Sequence, residues 1–353
     1  MKNVVLCSLL SVGLAWTSTA FSQTRTWVFG DSLSDTGNLD LIMESGIPNA
    51  YLPEEAYIPD QLGFQRISNG KVAVEYIAEA NGWQLFPSLA QGAFPIPATN
   101  FATFGARIVS DGVGVPDLPE QIGQLAQWWA GNNYPDLSND QFILFLDAND
   151  VLASWLATID PTNEFNSATG EAILDQSLQT LAAFVTSDAP VAGIPSLKMM
   201  GVKKLMVLNV PNIAHTPWVS RTAEEMKTRR VKRAARLMTA YFKEGLADLV
   251  EGFTSAGFII DDIDVAAINR RVRAHARRLG FTNKSDNCFD IHIFAMLSEP
   301  YPGPLSGTLT GPAAFDNGCS PETANNFMFF DTVHPSAKVH QILAERILRR
   351  LAD

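Results

Sequence analysis

The chain has few histidines and few cysteines: five and three in 353 residues. No histidine stands in an HExxH or other ligand spacing, so no metal is indicated, and nothing in the sequence implies a cofactor. Cations are also in the minority. Lys and Arg number 26 against 37 carboxylates, for a formal net charge of -11. A chain this acidic is repelled by phosphate backbones, which argues against nucleic-acid binding. There is no internal repeat, low-complexity block or long charged linker. Gly and Pro, at 24 and 20 residues, are near average usage and exclude both a collagen-like and a disordered chain. The G-x-S-x-G elbow of one large esterase fold is missing. No apolar run reaches the roughly 18 residues that a spanning helix needs.

What is present begins with an export pattern. Lys2 supplies a basic start, Val4–Trp16 the apolar run, and small residues allow cleavage after Ala20 or after Ser22. Residues 1–22 are therefore read as a signal peptide, residues 23–353 as a single domain, and the protein as secreted or periplasmic. Removing the signal removes Cys7 and leaves Cys288 and Cys319. An even pair in an exported chain favours one disulfide over two buried thiols. It would close a loop of about 30 residues and contribute roughly 3–4 kcal/mol on the chain-entropy estimate.

Hydrophobic residues make up 46% of the chain, enough for a substantial core. Thr26–Phe29, Phe142–Leu146, Leu205–Val210 and Phe258–Ile263 are apolar runs of strand length, as expected for a sheet buried on both faces. Helical spacing recurs in Lys71–Asn81, Ala172–Thr186, Thr222–Phe253 (read as one long helix) and His340–Leu351. The alternation predicts an α/β fold, a parallel sheet with helices on both faces. The basic stretch Arg221–Arg236 reads first as the solvated face of a helix, with transient membrane-surface contact as the alternative. Asp261, Asp262 and Asp264 lack the glycine and spacing of a calcium loop and read as a solvated strand end. Trp128 and Trp129 read as packing residues.

Two segments carry chemistry. In Trp27-Val-Phe-Gly-Asp-Ser32-Leu-Ser-Asp-Thr-Gly-Asn38, an apolar strand runs into a polar turn that can present the Ser32 hydroxyl at the carboxyl edge of the sheet. Alone, such a serine would be read as a helix N-cap. Near the other end stands Asp331-Thr-Val-His334-Pro335. A hydroxyl becomes an effective nucleophile when a base takes its proton, imidazole suits that task, and a carboxylate fixes the tautomer. An isolated D-x-x-H is common by chance.

Together with Asn100-Phe-Ala-Thr-Phe-Gly105-Ala106 and Asp147-Ala-Asn149-Asp150, these segments resemble the four ordered motifs of the SGNH (GDSL-type) hydrolases, particularly the larger secreted lipase/esterase branch. Weaker matches include Ser68-Asn69-Gly70. The resemblance runs from about Thr26 to the C-terminus. It implies a three-layer, flavodoxin-like fold and a carboxylic-ester hydrolase. Ser32, Asp331 and His334 would be catalytic, and the Ser32 N–H, the Gly105 N–H and the Asn149 side chain would hold the oxyanion. The substrate would be a small-molecule or lipid ester. Phospholipase, acyltransferase and carbohydrate acetylesterase activities remain alternatives, as does a non-catalytic binding protein. Two positions depart from the motifs: Phe104 and Asp147 stand where glycines are usual. Asp147 is expected either to perturb nearby acids and repel anions, or to point to solvent. The cysteine bridge would tether the segment before Asp331, and the Pro300–Gly307 loop would border the substrate mouth or merely cross the surface.

Overall fold

The computed structural model describes residues 25–44, 65–90, 99–110, 115–159, 165–290 and 314–352. The expected signal peptide and the Pro300–Gly307 loop lie outside the described residues. In chain order the elements are β1 (Thr26–Gly30), α1 (Asn38–Glu44), α2 (Ala73–Asn81), α3 (Leu118–Gly131), β2 (Gln141–Phe145), α4 (Ala148–Thr158), α5 (Ser167–Thr186), β3 (Lys204–Leu208), α6 (Pro217–Glu225), α7 (Arg230–Ser255), β4 (Ile259–Ile263), α8 (Val265–Ala274), β5 (Asn283–Asn287), β6 (Phe289–Asp290), β7 (Ala314–Phe315), β8 (Phe327–Phe329) and α9 (Ala337–Ala352).

Strands β1 to β4 form one parallel sheet in that order. Residues 99–103 run along the free edge of β1: Val28 donates to Thr99 O, Phe101 to Val28 O and Thr103 to Gly30 O. With that segment counted, chain order reverses at β1, as in a flavodoxin-like sheet. Ligands collect at such a switch point, beyond the carboxyl ends of the strands. Helices α4, α5 and α7 pack together, as do α2, α8 and α9, giving the expected helical layers on both faces. The sheet core is apolar without interruption: Trp27, Val28 and Phe29 of β1 and Phe142, Ile143 and Phe145 of β2 are all buried.

Two expectations are corrected. Thr222–Phe253 is not one helix but the end of α6 and most of α7, separated at residues 226–229. Lys227 takes a positive φ of 50°, and the side chain of Thr228 accepts the Arg230 N–H to restart the helix. No Gly or Pro marks the break, so periodicity runs straight through it. Strand β4 is not buried on both faces. It is the edge of its sheet, and Ile259 is 64% exposed. Of the neighbouring acids, Asp264 caps α8, accepting the Ala267 N–H at 2.9 Å. Trp128 and Trp129 do pack structurally, Trp128 against Trp27 and Trp129 against Tyr134.

Candidate active site

The nucleophile turn starts where β1 ends. Gly30 must be glycine: a Cβ there would sit 2.9–3.0 Å from Ser34 Cβ, Ala102 Cβ and the Phe145 carbonyl. Its backbone is instead held by Gln121 from α3, whose amide accepts the Gly30 N–H and donates to the Gly30 carbonyl. Asp35 then shapes the turn. Its two oxygens accept N–H groups from Gly37, Asn38, Leu39 and Phe104. Burial raises the Asp35 carboxyl and these four donors oppose the rise, leaving it at about 6. Asn38 and Asn100 complete the weld. Asn38 Nδ2 donates to the carbonyls of Asn100 and Ala102, and Asn100 Nδ2 to Ser34 O.

The histidine arrives from the far end of the chain, on the loop between β8 and α9. Phe330 N–H donates to His334 O, and Ser336 Oγ and N–H bond to Phe327 O and Met328 O. From the other side, Ser68 Oγ donates to Pro335 O and Asn69 Oδ1 accepts the Ala337 N–H, so the Ser68-Asn69-Gly70 segment fastens this loop. A disulfide joins Cys288 to Cys319. The Cys288 N–H donates to the carbonyls of Phe329 and Phe330, placing the bridge directly beside Asp331.

These constraints bring three side chains together. His334 Nε2 lies 2.7 Å from Ser32 Oγ, and His334 Nδ1 lies 2.7 Å from Asp331 Oδ2. The other Asp331 oxygen accepts the N–H groups of Val333 and His334, which fixes the carboxylate. All three residues are buried: Ser32 is 5% exposed, His334 3% and Asp331 0%. A hydroxyl in line with an imidazole and a carboxylate can pass a proton inward.

The three expected oxyanion donors keep free hydrogens. Among the described residues, neither the Ser32 N–H nor the Gly105 N–H has a partner. Gly105 adopts φ 77°, the left-handed region that glycine enters without strain. Asn149, in the first turn of α4, gives one amide hydrogen to Ala106 O at 2.9 Å and keeps its second. Asn149 and Ser32 line one cleft with Leu33, Phe104, Leu152, Val210, Ile213, Phe329 and Val333. Its walls are mostly apolar, suited to an acyl chain.

The two departures take definite positions. The Phe104 ring packs 5.9 Å from the His334 ring, walling the cleft. Asp147 does not point to solvent. It is 2% exposed at the start of α4, and neither oxygen makes a well-formed hydrogen bond, although the Val210 N–H faces it. Burial, reinforced by the charge of Asp31, pushes its carboxyl well above the usual range. Asp31 is pushed up to about 6, chiefly by burial, against the Leu33 N–H and the nearby His334. Asp150 is better served, accepting from Ile108 N–H and Ser177 Oγ. Sequence reasoning had assigned no role to Asp35, Gln121, Asn38 or Asn100. Asp35, Asn38 and Asn100 stood inside quoted motifs, but their partners are scattered along the chain.

The model of the family described as GDSL-like Lipase/Acylhydrolase matches residues 27–347. The thermolabile hemolysin of Vibrio parahaemolyticus is 23% identical over 94% of this chain, which spans 66% of that protein. The GDSL esterase/lipase At5g45950 of Arabidopsis thaliana is 22% identical over 94% of this chain and 88% of its own. The phosphatidylcholine-sterol acyltransferase of Aeromonas hydrophila is 23% identical over 98% and 96% respectively. With its motifs gathered at one sheet edge and a family model matched across almost all of its described length, the chain belongs to the GDSL-like lipase/acylhydrolase family.

Proposed function

We propose that the protein is an exported hydrolase of carboxylic acyl esters that works through an acyl-enzyme on Ser32. The observation that carries this reading is the hydrogen-bonded series Ser32–His334–Asp331 on the wall of an apolar cleft that Asn149 also lines. His334 takes the Ser32 proton as Oγ attacks the ester carbonyl, and Asp331 steadies the imidazolium that forms. The negative charge on the former carbonyl oxygen meets the Ser32 and Gly105 N–H groups and the Asn149 amide. His334 returns the proton to the departing alkoxide. Water, activated by the same imidazole, then cleaves the acyl–Ser32 bond and releases the acid.

Transfer to an alcohol instead of water is the second reading, favoured by likeness to the Aeromonas hydrophila acyltransferase. The Cys288–Cys319 bridge supports export, because disulfides persist in oxidising compartments.

Hydrolysis of a short nitrophenyl ester tests the main reading. Ser32→Ala is expected to lower kcat by at least about 10⁴-fold with the fold intact. Undiminished turnover by that variant would refute it. Adding a long-chain alcohol and assaying for the new ester distinguishes transfer from hydrolysis.

A further inference from the structure

The chain is acidic overall, yet its cations are not evenly spread. Residues 227–236 and 270–284 hold twelve of the 26 Lys and Arg residues and no carboxylate at all. The fold brings parts of both segments to one place. His215, just after the cleft residue Ile213, has its imidazole pushed down to about 4 by burial and then by the charges of Arg273, Arg236, Lys232 and Lys284. Those four cations come from α7, α8 and β5, and the field of all four is felt at one side chain. Arg273 and Lys284 also line a broad surface basin with His275, Arg277 and Arg278. Arg273 and Lys284 thus belong to both groups of cations.

This surface reaches the cleft. The Arg273 guanidinium lies 6.0 Å over the ring of Phe329, and Phe329 is a cleft wall. Asn269, one turn earlier on α8, lines the same cleft. Among the described residues, Lys232, Arg236, Arg277, Arg278 and Lys284 make no ion pair with a carboxylate. The nearest acid in sequence, Asp286, accepts a hydrogen bond from Asn283. Holding so many like charges together without counter-ions destabilises the folded chain unless they meet an anionic partner.

We propose that Lys232, Arg236, Arg273, Arg277, Arg278 and Lys284 form a docking surface for anionic phospholipid membranes, which sets the mouth of the Ser32 cleft beside the headgroups. The inference rests on the ester-hydrolase reading for its purpose, not for its test. Phosphate next to acyl ester is the chemistry that a cationic rim beside an apolar, nucleophile-bearing cleft fits. A phosphodiester supplies the charge, and the acyl chain enters the apolar wall. The acidic remainder of the molecule is repelled by the same membrane, which orients the encounter.

Vesicle co-sedimentation tests this directly. The probe is phosphatidylcholine vesicles with and without about 30% phosphatidylglycerol, and each protein is also measured on a soluble nitrophenyl ester. Wild type is expected to bind the anionic vesicles at least about 10-fold more tightly, and to lose that preference in about 0.5 M salt. The quadruple variant K232Q/R236Q/R277Q/R278Q is expected to weaken anionic binding on the order of 100-fold, with kcat/KM on the soluble ester unchanged within about two-fold. Equal binding to both vesicle types overturns the proposal, as does retention of the preference by the variant. So does equally tight, salt-sensitive binding to duplex DNA, which would mark a general polyanion surface. Running the binding arm also with Ser32→Ala separates the questions. A failed ester assay leaves the vesicle result standing, and the reverse holds too.

Discussion

At the residue scale, Asp147 offers the sharpest test of how the site is charged. Its carboxyl is buried without a well-formed hydrogen bond, beside Asp31 and two residues before Asn149. A carboxyl whose folded-state pKa lies above its unfolded value withholds stability as pH rises from the unfolded pKa upward, since the unfolded chain then releases a proton that the folded chain keeps. Each pH unit above about 4 therefore costs the wild type about 1.4 kcal/mol, until the folded-state titration is reached. Asp147→Asn cannot release that proton. The difference in unfolding free energy between variant and wild type is expected to move in the variant's favour as pH rises from 4 to 7, measured by denaturant titration. A difference independent of pH would show that the carboxyl is ionised in the fold. For Asn149→Ala, loss of one oxyanion donor predicts a fall of about 10²–10³ in kcat with little change in KM. Ser32, Asp331, His334, Gly105 and Asn149 stood out as candidates because each sits in a compact motif, and the structure joins Ser32, His334 and Asp331 in one hydrogen-bonded series. The fate of Asp147 was not, since burial is a property of packing and leaves no trace in a four-residue pattern.

At the element scale, the junction of β1 with the turn that follows is held by polar side chains, not by regular ladders. Asp35 illustrates the point, with four backbone N–H groups on two carboxylate oxygens. Asp35→Asn replaces one acceptor oxygen by a donor and strands two buried N–H groups. The expected loss is roughly 2–4 kcal/mol in denaturant unfolding, accompanied by loss of ester turnover because Ser32 and Gly105 drift apart. Stability equal to wild type would contradict that role. The disulfide acts at the other wall of the site. Replacing Cys288 and Cys319 by serine is expected to remove about 3–4 kcal/mol. An unchanged denaturation midpoint would show that the backbone bonds from Cys288 to Phe329 and Phe330 suffice. Strands β1 to β3 were readable as unbroken apolar runs, and α2, α5 and α9 as apolar stripes. The break between α6 and α7 was not, because Lys227 turns the chain without a glycine. Helices α3 and α4 escaped notice because buried polar residues, Gln121 in one and Asp150 and Ser154 in the other, interrupt their apolar stripes.

At the scale of the whole molecule, the site exists because of topology. Ser32 and His334 are 302 positions apart, and the sheet brings them within 2.7 Å. The parallel order with its reversal at β1 opens a crevice beyond the carboxyl ends of β1 and β2, where the turns carrying Ser32 and Asn149 both emerge. Alternation of strand and helix foretold the layers, whereas the strand order came from pairing that no local pattern encodes. The closing loop then has to be carried back to β1, and the bonds from Ser68 and Asn69 to that loop, with the Cys288 backbone, do so.

Mass spectrometry of the protein after reaction with an activated acyl or phosphonyl ester probes the proton relay between the two ends of the chain most directly. One adduct on the peptide bearing Ser32, formed rapidly by wild type and slowed by at least about 10³-fold in His334→Ala, is the predicted result. An adduct on any other residue, or modification of Ser32 at an unchanged rate without the imidazole, would contradict the account.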